Sequence, residues 1–234
     1  MSIFAISDLH LALSIDKPMD IFGDRWSNYM EKLKILWEET VTKEDTVIIP
    51  GDISWATYLE QAIEDFKFIE SLPGSKIISK GNHDYWWTTS NKLNKFLVSN
   101  KFSTIAFMHN NSFKIGDIVL CGTRGWKCQG DDNFSAEDKK IYNRELQRLE
   151  LSLKTSGCNE VESIIVALHY PPFNSKGESS DFIDIMCKYK VKVCIYGHLH
   201  GDSVKNAVIG KVEGIDFKLV SADNLNFYPI KLKI

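Results

Sequence analysis

Residues 44–55 read EDTVIIPGDISW, and the order of residue types in them decides the fold. The run from Val47 to Ile49 has the composition of a strand buried on both faces, and Pro50–Gly51 stops it. The first polar side chain after the stop is a carboxylate, Asp52. In α/β proteins ligands bind beyond the carboxyl ends of the strands, so a buried strand ending on such a residue marks a site edge.

The same sentence is written four more times. SIFAIS (2–7) ends at Asp8, and SKIIS (75–79) runs into Gly81–Asn82–His83–Asp84. SIIVAL (163–168) ends at His169, and VKVCIY (191–196) ends at Gly197–His198–Leu199–His200. Between these runs the spacing turns helical: Met30, Leu33, Trp37 and Val41 lie on one face, as do Leu59, Ile63, Phe66 and Ile69 before Pro73–Gly74. Ser135 with Asp138 forms a capping pair ahead of Ile141, Leu146, Leu149 and Leu153, which predicts a lid or flanking helix ending near Gly157. FSTIAF and DIVLCGT read as two further strands, and β character resumes from Ala207. With no repeat, low-complexity tract or linker, residues 1–234 are expected to form a single α/β domain.

Composition narrows the partners. The 234 residues are 44% hydrophobic, enough for a large core, and the net charge of −3 comes without any basic block. An obligate nucleic-acid partner is therefore disfavoured. The N-terminus lacks a basic flank followed by an apolar core, and no run of about 18 apolar residues occurs, so no membrane association and a cytoplasmic protein are expected. The oligomeric state is not legible. Cys121, Cys128, Cys158, Cys187 and Cys194 are odd in number and widely spaced, which suits reduced, buried thiols better than disulfides or a zinc knuckle.

The chemistry lies in the strand ends taken together. Singly, Asp8-x-His10 or Gly51–Asp52 could be a turn and His169 a satisfied core histidine. Yet five of the six histidines sit in these blocks, and only His109 falls outside. Carboxylate, imidazole and amide oxygen without a thiolate suit a divalent ion such as Mn, Fe or Zn. Asp8, His10, Asp52, Asn82, His169, His198 and His200 exceed the needs of one tetrahedral site. Two ions sharing a carboxylate would use them all.

In that order the blocks resemble the calcineurin-like metallophosphoesterase superfamily. The resemblance spans residues 8 to 200 and implies a two-layer β-sandwich flanked by helices, the four-layer fold of that superfamily within the α+β type of α/β proteins. It implies hydrolysis of a phosphoester by a hydroxide bridging two divalent ions. Asp8, His10 and His200 would hold one ion and Asn82, His169 and His198 the other, with Asp52 between them. His83 would face the substrate as an acid or charge stabiliser, oriented by Asp84; alternatively Asp84 is a turn carboxylate satisfying backbone amides. The stretches KPMDIFGDRW, GDISW, GNHDYWW and GTRGW together resemble a bacterial subgroup of small predicted phosphohydrolases.

Around GDISWAT and GNHD the arginine and glutamate of protein serine/threonine phosphatases are missing, which argues against a phosphoprotein substrate. A small-molecule or nucleotide-like phosphomonoester or phosphodiester is expected instead. A nuclease using the same ions and a non-catalytic scaffold of the same fold are the alternatives. Arg25 and Arg124 are candidates for a second phosphate or a carboxylate, against ordinary ion pairing. A tryptophan is expected to line the pocket and stack on a planar group, although any one of them could instead pack a loop. For Trp86 and Trp87, a helix starting after Asp84 would point them about 100° apart, one into the core and one to the cleft.

Overall fold

The computed structural model describes residues 1–157 and 163–234. It contains two sheets. The first has β1 (Ile3–Ala5), β2 (Thr46–Pro50), β3 (Ser75–Ser79), β4 (Ile105–Phe107) and β11 (Ile230–Lys231) in the order β11-β1-β2-β3-β4. The second has β5 (Phe113–Ile115), β6 (Ile118–Thr123), β7 (Ser163–Leu168), β8 (Val193–Tyr196), β9 (Gly210–Val212) and β10 (Ile215–Leu219) in the order β5-β6-β7-β8-β10-β9. Among the strands of the described residues, only β11, β5 and β9, each at a sheet edge, pair antiparallel.

The two-residue period of a strand builds four layers from these sheets. On β2, Val47 and Ile49 join the cluster under the helices α1 (Tyr29–Thr40), α2 (Ile63–Ser71) and α3 (Ser90–Asn100), while Ile48 points the other way. On β7, Ile164, Val166 and Leu168 pack beneath α4 (Ala136–Thr155) and α5 (Asp181–Lys188). Ile165 and Ala167, on the opposite face, meet Ile48, Ala5 and Ile77 in a shared apolar layer between the sheets. A two-layer sandwich flanked by helices is thus the observed architecture.

The parallel strands all deliver their carboxyl ends to one edge. There the two sheets are joined: the Ser7 N–H donates to the Val220 carbonyl at 2.7 Å and the Ala222 N–H to the Ser7 carbonyl at 2.9 Å. The residues after β1 and β10 therefore sit side by side, although they are more than 200 positions apart in sequence.

Ser135 caps α4 as expected, its hydroxyl accepting from the Asp138 N–H at 3.1 Å while Asp138 accepts the Ser135 N–H at 2.9 Å. The helix packs along the outer face of the second sheet as a flanking element. Cys121, Cys128 and Cys194 are buried, Cys187 is exposed, and no disulfide joins the described cysteines; Cys158 lies outside the described residues. Among the described residues no helix is long and apolar enough to cross a membrane.

One local expectation is corrected. The helix after Asp84 starts only at Ser90, and Trp86 and Trp87 lie in a turn closed by the Trp87 N–H on the Asp84 carbonyl at 3.2 Å. Thr88 and Thr89, both β-branched, separate that turn from the helix start.

Candidate metal centre

Three of the five strand-end loops, those after β1, β2 and β8, place their polar residues by an unusual backbone. Asp8, His10, Asp52 and His198 all have positive φ, at 59°, 47°, 53° and 72°. For side chains with a Cβ this left-handed conformation is sparsely populated, and it persists where surrounding bonds over-determine it. Here they do: the Asp8 N–H donates to the Gly51 carbonyl and the His10 N–H to the Asp52 carbonyl, both at 3.0 Å. Gly51, at φ +92°, is needed because a Cβ there would lie 2.6 Å from the Gly81 Cα and 2.8 Å from His169 Nδ1.

Asp84 is the hub of this backbone arrangement. Fully buried, it accepts N–H groups from Gly81 at 2.7 Å, Asp52 at 2.9 Å and Ile53 at 2.8 Å, and the Trp86 indole N–H at 3.2 Å. Burial, reinforced by the nearby Asp52 charge, pushes its carboxyl up to about 6. No hydrogen bond joins it to His83. The expectation that Asp84 orients His83 is therefore corrected: it is the turn carboxylate that ties the Gly51–Asp52 and Gly81–Asn82 loops together. The carboxylate that holds His83 is Asp52, which takes the His83 N–H at 2.8 Å and sits 2.7 Å from its Nδ1.

The seven candidate donors converge in two groups. In the first, His200 Nε2 lies 3.2 Å from Asp8 Oδ1 and 3.4 Å from His10 Nε2, and His10 Nε2 lies 3.7 Å from Asp52 Oδ2. In the second, Asn82 Oδ1 lies 2.6 Å from His169 Nε2 and 2.8 Å from His198 Nδ1, and His169 Nε2 lies 3.6 Å from the same Asp52 Oδ2. Ligand atoms of a first-row cation stand about 3 Å apart, since metal–ligand bonds are near 2.1 Å, so both groups have the spacing such an ion needs. Asp52 Oδ2 belongs to both.

Protonation supports the same use. Burial pushes His10 down to about 4 and His198 down to about 3, so both imidazoles are neutral and can ligate. Burial alone would raise Asp8 and Asp52, but the surrounding histidines outweigh it: Asp8 is held far below the ordinary carboxylate range and Asp52 at about 2. His200 is opposite in sign. Burial would lower it, yet Asp8 and Asp223 raise it to about 10.

Asp223 is a site residue that the sequence reading missed. Its Oδ1 lies 2.8 Å from His200 Nδ1, so it fixes the ring that presents Nε2 to Asp8. It follows β10, which runs parallel to β8, and the strand-end rule applied to Leu219 would have found it. His169 is fixed in the same way by the Pro50 carbonyl, 3.1 Å from Nδ1.

Over the first group opens a cavity of about 870 Å³, lined by His10, His83, His200, Asp223, Met19 and the run from Phe22 to Trp26. Its aromatic walls are Trp26, Trp55 and Phe22. Trp55 packs 4.9 Å from His10 and 4.4 Å from His83, ring centre to ring centre. Of the predicted substrate contacts, Arg25 lines this cavity; Trp86 and Trp87 do not. Trp86 is buried against Phe66, and Trp87 packs on Phe107 and donates to His109 Nδ1 at 3.2 Å, which corrects the expectation that one of the pair faces the cleft. Arg124 also lies away from this cavity, stacked 4.4 Å over Trp126 beside Glu145.

A family model described as calcineurin-like phosphoesterase matches residues 1–202. Among solved structures, a protein of unknown function from Aquifex aeolicus is similar at 16% identity and a TM-score of 0.52, covering 98% of this chain and 95% of its own. The phosphopantetheinyl hydrolase of Mycobacterium tuberculosis is similar at 12% identity and a TM-score of 0.58, covering 94% of this chain and 88% of its own. These likenesses show the shared fold. No curated protein matches the chain in sequence.

Proposed function

The chain belongs to the calcineurin-like phosphoesterase family, and from that premise we propose that it is a dinuclear metal-dependent hydrolase of a small phosphomonoester or phosphodiester. The observation that carries this reading is the pair of donor groups meeting at Asp52 Oδ2. Asp8, His10, Asp52 and His200 would hold one divalent ion, and Asp52, Asn82, His169 and His198 the second; the oxygen and nitrogen donors suit Mn, Fe or Zn. Two such ions held there would supply positive charge against the phosphoryl oxygens and lower the pKa of an attacking water.

The chain's own residues do the rest. His83 stands at the cavity wall with its side chain one-third exposed (34%), held by Asp52, where it can donate a proton to the departing oxygen or to the phosphoryl group. Trp55 fixes the planes of His10 and His83, limiting the drift that would separate the acid from the reacting phosphorus. Trp26, Phe22 and Met19 give the cavity an apolar side suited to the organic part of a small ester, and Arg25 can contact its anionic end. The cytoplasm is proposed as the place of the reaction, in keeping with cysteines that are odd in number and widely spaced.

The test is hydrolysis of mono-aryl and bis-aryl phosphates by purified protein loaded with Mn²⁺, Fe²⁺ or Zn²⁺. Turnover that is abolished by chelation and restored by one of these ions is expected. No turnover with any of them would overturn the proposal.

A further inference from the structure

The stretch KPMDIFGDRW supplies one wall of the cavity over the first donor group, and at its centre stand Phe22, Asp24 and Arg25. Resting on the phosphoester reading above, we propose that this turn reads a nucleobase. Phe22 stacks on the base and Asp24 accepts its amino edge, so that the substrate is a nucleotide ester.

The turn is pinned at both ends. Met19 and Trp26 are buried in the core cluster under α1 to α3, and Met19 Sδ accepts the Trp55 indole N–H at 3.1 Å. Between them Gly23, at φ +116°, adopts a conformation that favours glycine. Its N–H donates to the Asp20 carbonyl at 2.9 Å and its carbonyl accepts the Trp26 N–H at 3.0 Å. What this fixed turn presents is Phe22, a cavity-lining ring that is nevertheless 58% exposed. Among the described residues no other ring packs on it, and it belongs to none of the apolar clusters.

The other large rings of the cavity are already committed. Buried Trp26 has His10, Tyr29, His200 and Phe227 within 6.0 Å, centre to centre. Trp55 lies at 22° to His10 and carries the Lys17 ammonium 3.2 Å from its ring centre. A near-parallel ring and an ammonium that close cannot share one face, so both faces of Trp55 are taken. The stacking expected of a tryptophan therefore falls to Phe22.

An alkyl chain would also cover Phe22, but it would leave the polar groups of the turn unused. The side chains of Asp24 and Arg25 have neither an ion pair nor a hydrogen bond among the described residues. A carboxylate only accepts, which suits the exocyclic amino group of adenine, guanine or cytosine and repels a carbonyl at the same place. Arg25 adds donors for the anionic end of the ester. His10, His83 and His200 line the same cavity of about 870 Å³, large among the roughly 300–1,000 Å³ of small-molecule sites, so base and phosphoryl group fit one space.

Nucleosides carry no phosphate, so their calorimetric titration into the Mn²⁺-loaded protein reads the turn apart from hydrolysis. The pairs to compare are adenosine and guanosine against inosine, and cytidine against uridine. At least one amino-bearing nucleoside should bind about tenfold or more tighter than its counterpart, and Asp24→Ala should close that gap. Phe22→Ala and Phe22→Leu should each weaken the bound nucleoside about tenfold, while Phe22→Tyr retains it; the position is exposed, so these variants keep the fold. The 5′-phosphate of that nucleoside, or its methyl diester, should show a KM about tenfold below that of butyl phosphate or its methyl diester, and Phe22→Ala should erase the difference.

No binding of any nucleoside, or binding unchanged in Phe22→Ala, overturns the proposal. Affinity kept in Phe22→Leu overturns the stacking and with it the planar substrate. Equal affinity within every pair overturns the role of Asp24. Hydrolysis of aryl phosphates without nucleoside binding removes the base-reading turn and leaves the phosphoester reading standing; nucleoside binding that depends on Phe22, with no ester turned over, does the reverse.

Discussion

The carboxylate of Asp84 accepts the backbone N–H of Asp52 at 2.9 Å, and through the same side chain the Gly81 N–H is held at 2.7 Å. The loops that carry Asp52 and Asn82 are therefore one unit. Replacing Asp84 by Asn keeps the shape but turns an amide NH₂ toward backbone donors. Asp84→Asn should cost about 2–4 kcal/mol of stability and lower metal affinity, since both donor groups depend on these loops. Thermal denaturation and metal content of the purified variant check this; wild-type values for both would contradict it.

Asp223 should set the charge of His200 in the metal-free protein. Because the folded pKa of His200 is raised to about 10, its stabilising contribution is complete below its unfolded value near 6.5 and is lost as pH rises through 10. Asp223→Asn removes one of the two causes. The stability gap between metal-free wild type and variant should be about 1–3 kcal/mol at pH 6 and should close towards pH 10, read by urea denaturation at each pH.

Lys76 offers a test of the fold away from the centre. It is fully buried in β3, its Nζ donating to the Leu72 carbonyl at 2.7 Å, and burial pushes it down to about 8. The unfolded chain binds more protons between pH 8 and 10.5, so wild-type stability rises with pH across that window. Lys76→Met should stabilise the protein by about 1–3 kcal/mol at pH 7, and the advantage should shrink as pH approaches 10.5. A gap independent of pH would rule out the buried charge as its cause.

The tryptophans separate position from packing. Trp55→Ala should reduce kcat about tenfold or more with the fold intact, because His10 and His83 lose the wall that orients them. Trp86→Ala should instead cost about 3–5 kcal/mol of stability through the cavity it leaves beside Phe66. Melting curves and kcat of the two variants side by side decide the assignment.

Much of this site was legible in the chain because its logic is local: a buried strand, a stop, then a donor. That rule found Asp8, Asp52, Asn82, His169 and His198 from the residues around each. What it could not supply was the meeting of distant loops. Asp223 belongs with His200 only because β10 runs parallel to β8, and that pairing is a property of sheet order. The role of Asp84 was open for the same reason, since the N–H groups it accepts at Asp52 and Ile53 lie more than 30 residues earlier. Trp86 and Trp87 were misplaced because the sequence pattern after Asp84 was read as helical, whereas the turn delays the helix to Ser90.

Metal stoichiometry tests the central claim most directly, because Asp52 Oδ2 is the atom the two donor groups share. Wild-type protein equilibrated with Mn²⁺ and freed of excess should carry two ions per chain, Asn82→Ala about one, and Asp52→Asn fewer than one, with hydrolysis of an aryl phosphate lost in both variants. A folded wild-type protein that binds no ion, or one whose metal content is untouched by Asp52→Asn, would contradict the account.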